Sequence, residues 1–111
     1  MQNKNSNNKD RRIFERVAVS HAIRFFDLYH QQEGEGKTVD VSAKGIGLLT
    51  KQQLRTYTPL EIWIDIPSHS QPFYARAEVV WSKPSPDGQI RAGVCFERAD
   101  LMGVAQLLRV K

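Results

Sequence analysis

Three arginines stand in the run Arg11-Arg12-Ile13-Phe14-Glu15-Arg16, and a second polar cluster, Asp40-Val41-Ser42-Ala43-Lys44-Gly45, follows between two apolar segments. Guanidinium groups are planar, permanently charged forks that fit phosphate oxygens and the acceptor edge of guanine. A carboxylate and a hydroxyl supply acceptors for amide and amino hydrogens. Together the clusters hold the chemistry for a phosphorylated guanine ligand.

Spacing refines this. In extended backbone Arg12 and Arg16 lie an even number of residues apart and point the same way, giving two forks for one ligand. Arg11 points elsewhere and can act as a second clamp or as a stacking plane over a base. The competing reading of these arginines is a solvated charge run near a terminus. Asp40 and Ser42, two apart at the end of a strand, can project to one side, while Gly45 allows a backbone conformation or a close approach that a side chain would obstruct. Here the competing reading is an ordinary hairpin in which Asp and Ser bond their own backbone.

The charge distribution favours a local site. The 111 residues carry a net charge of +4, and residues 1–16 hold five cations against two acids, leaving a net +1 for the rest. Proteins that coat DNA or RNA spread Lys and Arg along a whole face. A basic arm suits a small anionic ligand or an acidic partner surface, so no DNA or RNA partner is expected. The length fits one domain with one core. The longest apolar stretches are strand-sized, which predicts no membrane insertion. Met1–Asp10 is polar without an apolar centre, so no secretory leader is read and a cytoplasmic location is expected. The single cysteine, Cys95, agrees with a reducing compartment and reads as a small apolar side chain in a strand.

Elements must position these residues. Residues 1–10 read as a flexible N-terminal arm, being too poor in apolar groups to offset the entropy of ordering, and residues 11–111 as a single domain. Period-two alternation predicts a strand from Val17 to about Tyr29, followed by a turn over Gln31–Gly36. Lys37–Val41 and Ile46–Thr50 flank the Ser42–Gly45 turn as a hairpin. Leu60, Ile62, Ile64 and Ile66 alternate with polar or bulky partners, and Pro67 closes that strand. Phe73–Ser82 and Gln89–Glu97 make a second hairpin about Pro84-Ser85-Pro86-Asp87-Gly88. Leu101, Val104, Ala105 and Leu108 then recur at helical spacing after a candidate N-cap, Asp100. Six strands and a C-terminal helix predict an all-β fold, a small antiparallel barrel whose closure removes exposed edges.

Two aromatic positions and three histidines complete the inventory. Trp81 shares its strand alternation with Ala75, Ala77 and Val79, which predicts the core face, yet its place near the strand end also lets it border the surface and stack against a guanine. Trp63 opposes the isoleucine face, so it is either exposed or covered by the helix. His21, His30 and His69 are scattered, with no pair at metal-ligand spacing, and no metal is assigned.

Jointly the clusters resemble the PilZ domain family, bacterial receptors for the second messenger cyclic di-GMP, marked by RxxxR before the first barrel strand and [D/N]xSxxG in a following turn. Here these are Arg12-Ile13-Phe14-Glu15-Arg16 and Asp40-Val41-Ser42-Ala43-Lys44-Gly45, both complete, and Gly93-Val94-Cys95-Phe96 matches the family's late Gly-Val-x-Phe strand. The resemblance implies a six-stranded antiparallel barrel with a C-terminal helix. It implies that Arg12 and Arg16 contact guanine edges and phosphates, that Asp40 and Ser42 accept from or bridge to guanine and phosphate, and that Gly45 shapes the turn. Arg11 looks like the position that in some members favours an intercalated pair of ligand molecules. The function implied is a non-enzymatic receptor or adaptor whose arm orders around cyclic di-GMP and changes the surface shown to an effector protein, with no room in the chain for an output domain. The alternatives are an adaptor of the same fold without nucleotide binding and a single-stranded nucleic-acid-binding barrel. An enzyme would want a metal or a carboxylate cluster, and the acids here are dispersed.

Overall fold

The computed structural model describes residues 16–99. Seven strands occur in this span: β1 (Val17–Ala18), β2 (Ala22–Asp27), β3 (Gln32–Val41), β4 (Gly45–Thr50), β5 (Pro59–Ile64), β6 (Phe73–Pro84) and β7 (Ile90–Ala99). Every pairing is antiparallel, in the order β3-β2-β5-β6-β7-β4, and a β3–β4 pairing closes the ring. The result is a six-stranded barrel with β1 as a short extension along β3. The arm at 1–10, Arg11, Arg12 and the helix expected after Asp100 lie outside the described residues.

Alternation decides which side chains fill the barrel. Ile23 and Phe25 on β2, Leu60, Ile62 and Ile64 on β5, Ala75, Ala77 and Val79 on β6, and Ala92 and Val94 on β7 are all buried. Large residues face small ones across the ladder, with Leu60 opposite Ala77 and Ile62 opposite Ala75. That pairing suits a narrow barrel, whose interior has room for side chains alone. Burial of each large aliphatic side chain contributes about 1.5–3 kcal/mol, and this closed wall is the rigid frame of the outer surface.

The expected strand from Val17 to Tyr29 is broken in two. Between β1 and β2 the chain steps around the buried Thr38, whose hydroxyl donates to the Val19 carbonyl at 2.6 Å and accepts the His21 N–H at 2.9 Å. Gln31–Gly36, expected as a turn, is mostly strand: β3 begins at Gln32. Gly34 sits there because Phe25 packs against its backbone, and an added Cβ would meet the ring at 2.3 Å. The true turn is Leu28–Gln31. The buried Asp27 carboxylate accepts the N–H groups of Tyr29 and His30, and Gln31 closes the turn in the left-handed region at φ 58°. The second hairpin turns later than expected, since β6 runs through Lys83 and Pro84, and Gly88 at φ 85° donates back to the Ser85 carbonyl.

Candidate ligand-binding site

The turn between β3 and β4 is held from within. The Ser42 N–H donates to the Gly45 carbonyl at 2.8 Å, the Ser42 hydroxyl accepts the Lys44 N–H at 3.2 Å, and it donates to the same Gly45 carbonyl at 3.3 Å. Ser42 is buried, at 1% exposure. Its hydroxyl therefore braces the turn rather than projecting beside Asp40 from the barrel surface. Gly45 is required by close approach and not by a left-handed backbone: a Cβ there would lie 1.9 Å from the Val94 carbonyl oxygen of β7. The motif glycine thus lets the start of β4 press against its neighbour, and the Lys44 carbonyl accepts the Phe96 N–H at 2.7 Å.

Asp40 points outward, since its neighbour Val41 is in the core. A register shift between Thr38 and Asp40 marks a bulge. Asp40 Oδ1 accepts the Gly47 N–H at 3.0 Å, and the same oxygen accepts Arg16 Nε at 3.1 Å and lies 3.0 Å from Arg16 Nη2. Both guanidinium contacts fall on one carboxylate oxygen, so Oδ2 accepts from no described residue. The pair is half-exposed and contributes at most about 1 kcal/mol to stability. Its consequence is positional: Asp40 holds the Arg16 fork at the barrel rim.

Register carries this edge across the barrel wall. Asp40 pairs with Gly47, Gly47 with Gly93, and Gly93 with Trp81. All four face outward, because Leu48, Ala92 and Val94 beside the glycines are buried. The row spans three strand spacings, about 14 Å along the sheet. Its two middle positions lack side chains of their own, so Asp40 and Trp81 fold inward over a shallow trough floored by the buried Gly47 and Gly93. A Cβ on Gly47 would meet Asp40 Oδ1 at 2.8 Å, and one on Gly93 would meet Trp81 Nε1 at 2.3 Å.

Trp81 corrects the alternation read from sequence. A second bulge, between Val79 and Trp81, reverses the phase of β6. Val80 and Trp81 are consequently both exposed, at 53% and 39%, instead of Trp81 joining Ala75, Ala77 and Val79 inside. A bulge at one strand position is invisible to a period-two count, although Gly93 opposite was a usable signal. Gly47 was not singled out from the sequence, and Gly93 was read only as the start of the Gly-Val-x-Phe strand, not as a neighbour of Asp40 and Trp81. Trp63 lies on the far wall, with Arg24 5.7 Å from its ring centroid and Tyr74 packed at 5.5 Å between centroids. His30 pairs with Asp27 at 2.8 Å within the turn, and Cys95 is a half-buried strand residue.

The PilZ domain family model matches residues 10–110. The chain belongs to the PilZ domain family. Among solved structures, the Bacillus subtilis inhibitor of motility MotI/DgrA is 14% identical with a TM-score of 0.72, covering 86% of this chain and 47% of that one. This PilZ chain therefore spans about half the length of the Bacillus protein. The PilZ domain of YcgR from Escherichia coli, solved with cyclic di-GMP, is 16% identical with a TM-score of 0.64, covering 89% of this chain and 87% of that one. The PilZ domain of CeSA from a cellulose-synthesizing bacterium is 16% identical with a TM-score of 0.60, covering 86% and 92%. At these identities the likeness is one of fold. A comparison with curated proteins finds no match. Among the described residues no helix is long and apolar enough to cross a membrane.

Proposed function

We propose that this PilZ domain is a receptor for cyclic di-GMP, bound at the rim where Arg16 and Asp40 meet and along the trough toward Trp81. The observation that carries the reading is Asp40 itself. One carboxylate oxygen fixes the Arg16 fork while the other accepts from no described residue, so one residue orients a cation for phosphate or guanine and offers an acceptor for guanine N–H groups. Trp81, exposed at the other end of the row, supplies a stacking plane for a base. Gly45 and Ser42 set the turn that places Asp40.

In this reading Arg11 and Arg12 bring two more guanidinium groups to the ligand from the segment preceding Arg16. In the same reading the N-terminal arm orders around the ligand and changes the surface shown to an effector protein. The chain acts by binding and has no catalytic role. Arg11 as an additional clamp favours an intercalated pair of ligand molecules per protomer. Calorimetric titration of cyclic di-GMP into the wild type and Arg12→Ala tests the site: saturable wild-type binding that weakens in the variant is expected, at two ligands per protomer. Absence of wild-type binding, or equal binding by both, refutes the site, and saturation at one ligand refutes the pair.

A further inference from the structure

Beside the glycine row runs a second outward row whose chemistry is cationic. Lys37 pairs with Leu49, Leu49 with Arg91, and Arg91 with Lys83. Lys37, Arg91 and Lys83 are exposed, and none forms an ion pair with a described residue. Arg91 and Gly93 are two apart on β7, as are Trp81 and Lys83 on β6, so the rows share one face at a separation of about 7 Å. Lys83 Nζ lies over the Trp81 ring, 5.4 Å from its centroid, so an ammonium rests on one face of the indole and leaves stacking to the other. The nearest acids in register are Asp40, in the adjacent glycine row, Glu35, two residues before Lys37 on β3, and Glu78, opposite Cys95 beyond the glycine row.

We infer that Arg91, supported by Lys83, is a phosphodiester-binding residue of the trough. This rests on the cyclic di-GMP reading. That ligand carries its two phosphates in a ring between two guanines. With one guanine edge at Asp40 and a base on Trp81, the sugar–phosphate ring lies between these two side chains, across β4 and β7, where Gly47 and Gly93 add no side chain of their own. Arg91 flanks that midpoint, one residue pair along β7 from Gly93. Its guanidinium reaches a phosphate from the side opposite Glu78, and Lys83 adds a second positive charge from beside Trp81. The row extends the recognition surface to β6 and β7, which neither sequence cluster contains.

The test is calorimetric titration of cyclic di-GMP into the whole chain, comparing wild type with Arg91→Ala, Arg91→Lys and Arg24→Ala. Arg24 sits on β2, three strands from β7 in either direction around the ring, and controls for loss of one surface charge. Arg91→Ala is expected to weaken binding at least tenfold, Arg91→Lys to retain part of it, and Arg24→Ala to match the wild type. Phosphorus NMR of the bound ligand separates contact from general field: the signal moves in Arg91→Ala while guanine imino signals hold. Wild-type binding with equal affinity in Arg91→Ala, or equal losses in Arg91→Ala and Arg24→Ala, overturns the inference and leaves the receptor reading standing. No wild-type binding overturns both.

Discussion

Replacing Gly93 by alanine separates the fold from the trough, because the added methyl meets a side chain and not backbone. It would lie 2.3 Å from Trp81 Nε1 and 2.6 Å from Cε2, against an ordinary contact of about 3.5 Å, so the indole must retreat by about 1 Å or more. Trp81 is 39% exposed and free to swing outward. If the swing uncovers about 60 Å² of ring, burial worth about 1.5 kcal/mol is lost, and alanine's advantage over glycine in a strand offsets roughly 0.5–1 kcal/mol of it. The net loss is below about 1 kcal/mol, a fall in Tm of no more than about 8 °C. Ligand affinity falls further, since base stacking on an aromatic contributes about 1–3 kcal/mol, or roughly 5- to 150-fold. In a Trp63→Phe background the emission of Trp81 reports the swing directly, as a red shift with increased quencher access. Unchanged emission in Gly93→Ala, with affinity within about twofold of its parent, would show that Trp81 neither covers Gly93 nor stacks on a base.

Three further outcomes follow from the geometry. Gly45→Ala forces a methyl to 1.9 Å from the Val94 carbonyl oxygen, a backbone atom that cannot rotate away, and is expected to destabilise the barrel by about 1–3 kcal/mol in urea unfolding. Thr38→Val leaves the buried His21 N–H without its acceptor and the Val19 carbonyl without its donor, so a loss of about 1–3 kcal/mol is expected by the same measurement. The Tyr74 hydroxyl donates to Glu61 Oε2 at 2.6 Å, which with partial burial and the carboxylate's charge raises its pKa above the ordinary tyrosine value. The neutral phenol is thus favoured in the folded state, and its contribution is lost as alkaline pH rises through that raised pKa. An absorbance titration should show Glu61→Gln lowering the Tyr74 transition toward the ordinary value; no change would remove the carboxylate as the cause.

Much of this architecture was legible in the residues. The alternation of Leu60, Ile62 and Ile64 placed β5, and the Asp40–Gly45 turn fell between two strands as read. What the alternation could not reveal were departures from period two. The β6 bulge turned Trp81 outward, and the bulge at Thr38 and Asp40 let one carboxylate oxygen serve both Gly47 and Arg16. Gly34 looked like turn chemistry because a glycine that yields to a ring cannot be told in sequence from one that turns a chain. Ser42 was read as a ligand acceptor or as its own turn's brace, and its buried hydroxyl is engaged as the brace. Gly47 and Arg91 had no motif to announce them, and Gly93 stood out only as the start of a strand pattern, since strand register alone joins all three to Asp40 and Trp81.

In the proposed receptor, the Arg16 fork held on Asp40 receives cyclic di-GMP. Arg16 is exposed and its ion pair contributes little to folding, so Arg16→Ala should unfold at nearly the wild-type temperature. Losing a charge-assisted contact of about 1.5–3 kcal/mol corresponds to roughly a 10- to 150-fold loss of affinity. Calorimetric titration of the ligand into wild type and Arg16→Ala, with Tm recorded on the same samples, is the direct measurement. Saturable wild-type binding that weakens at least tenfold in an equally stable variant is the predicted result, and wild-type affinity in Arg16→Ala would contradict the account.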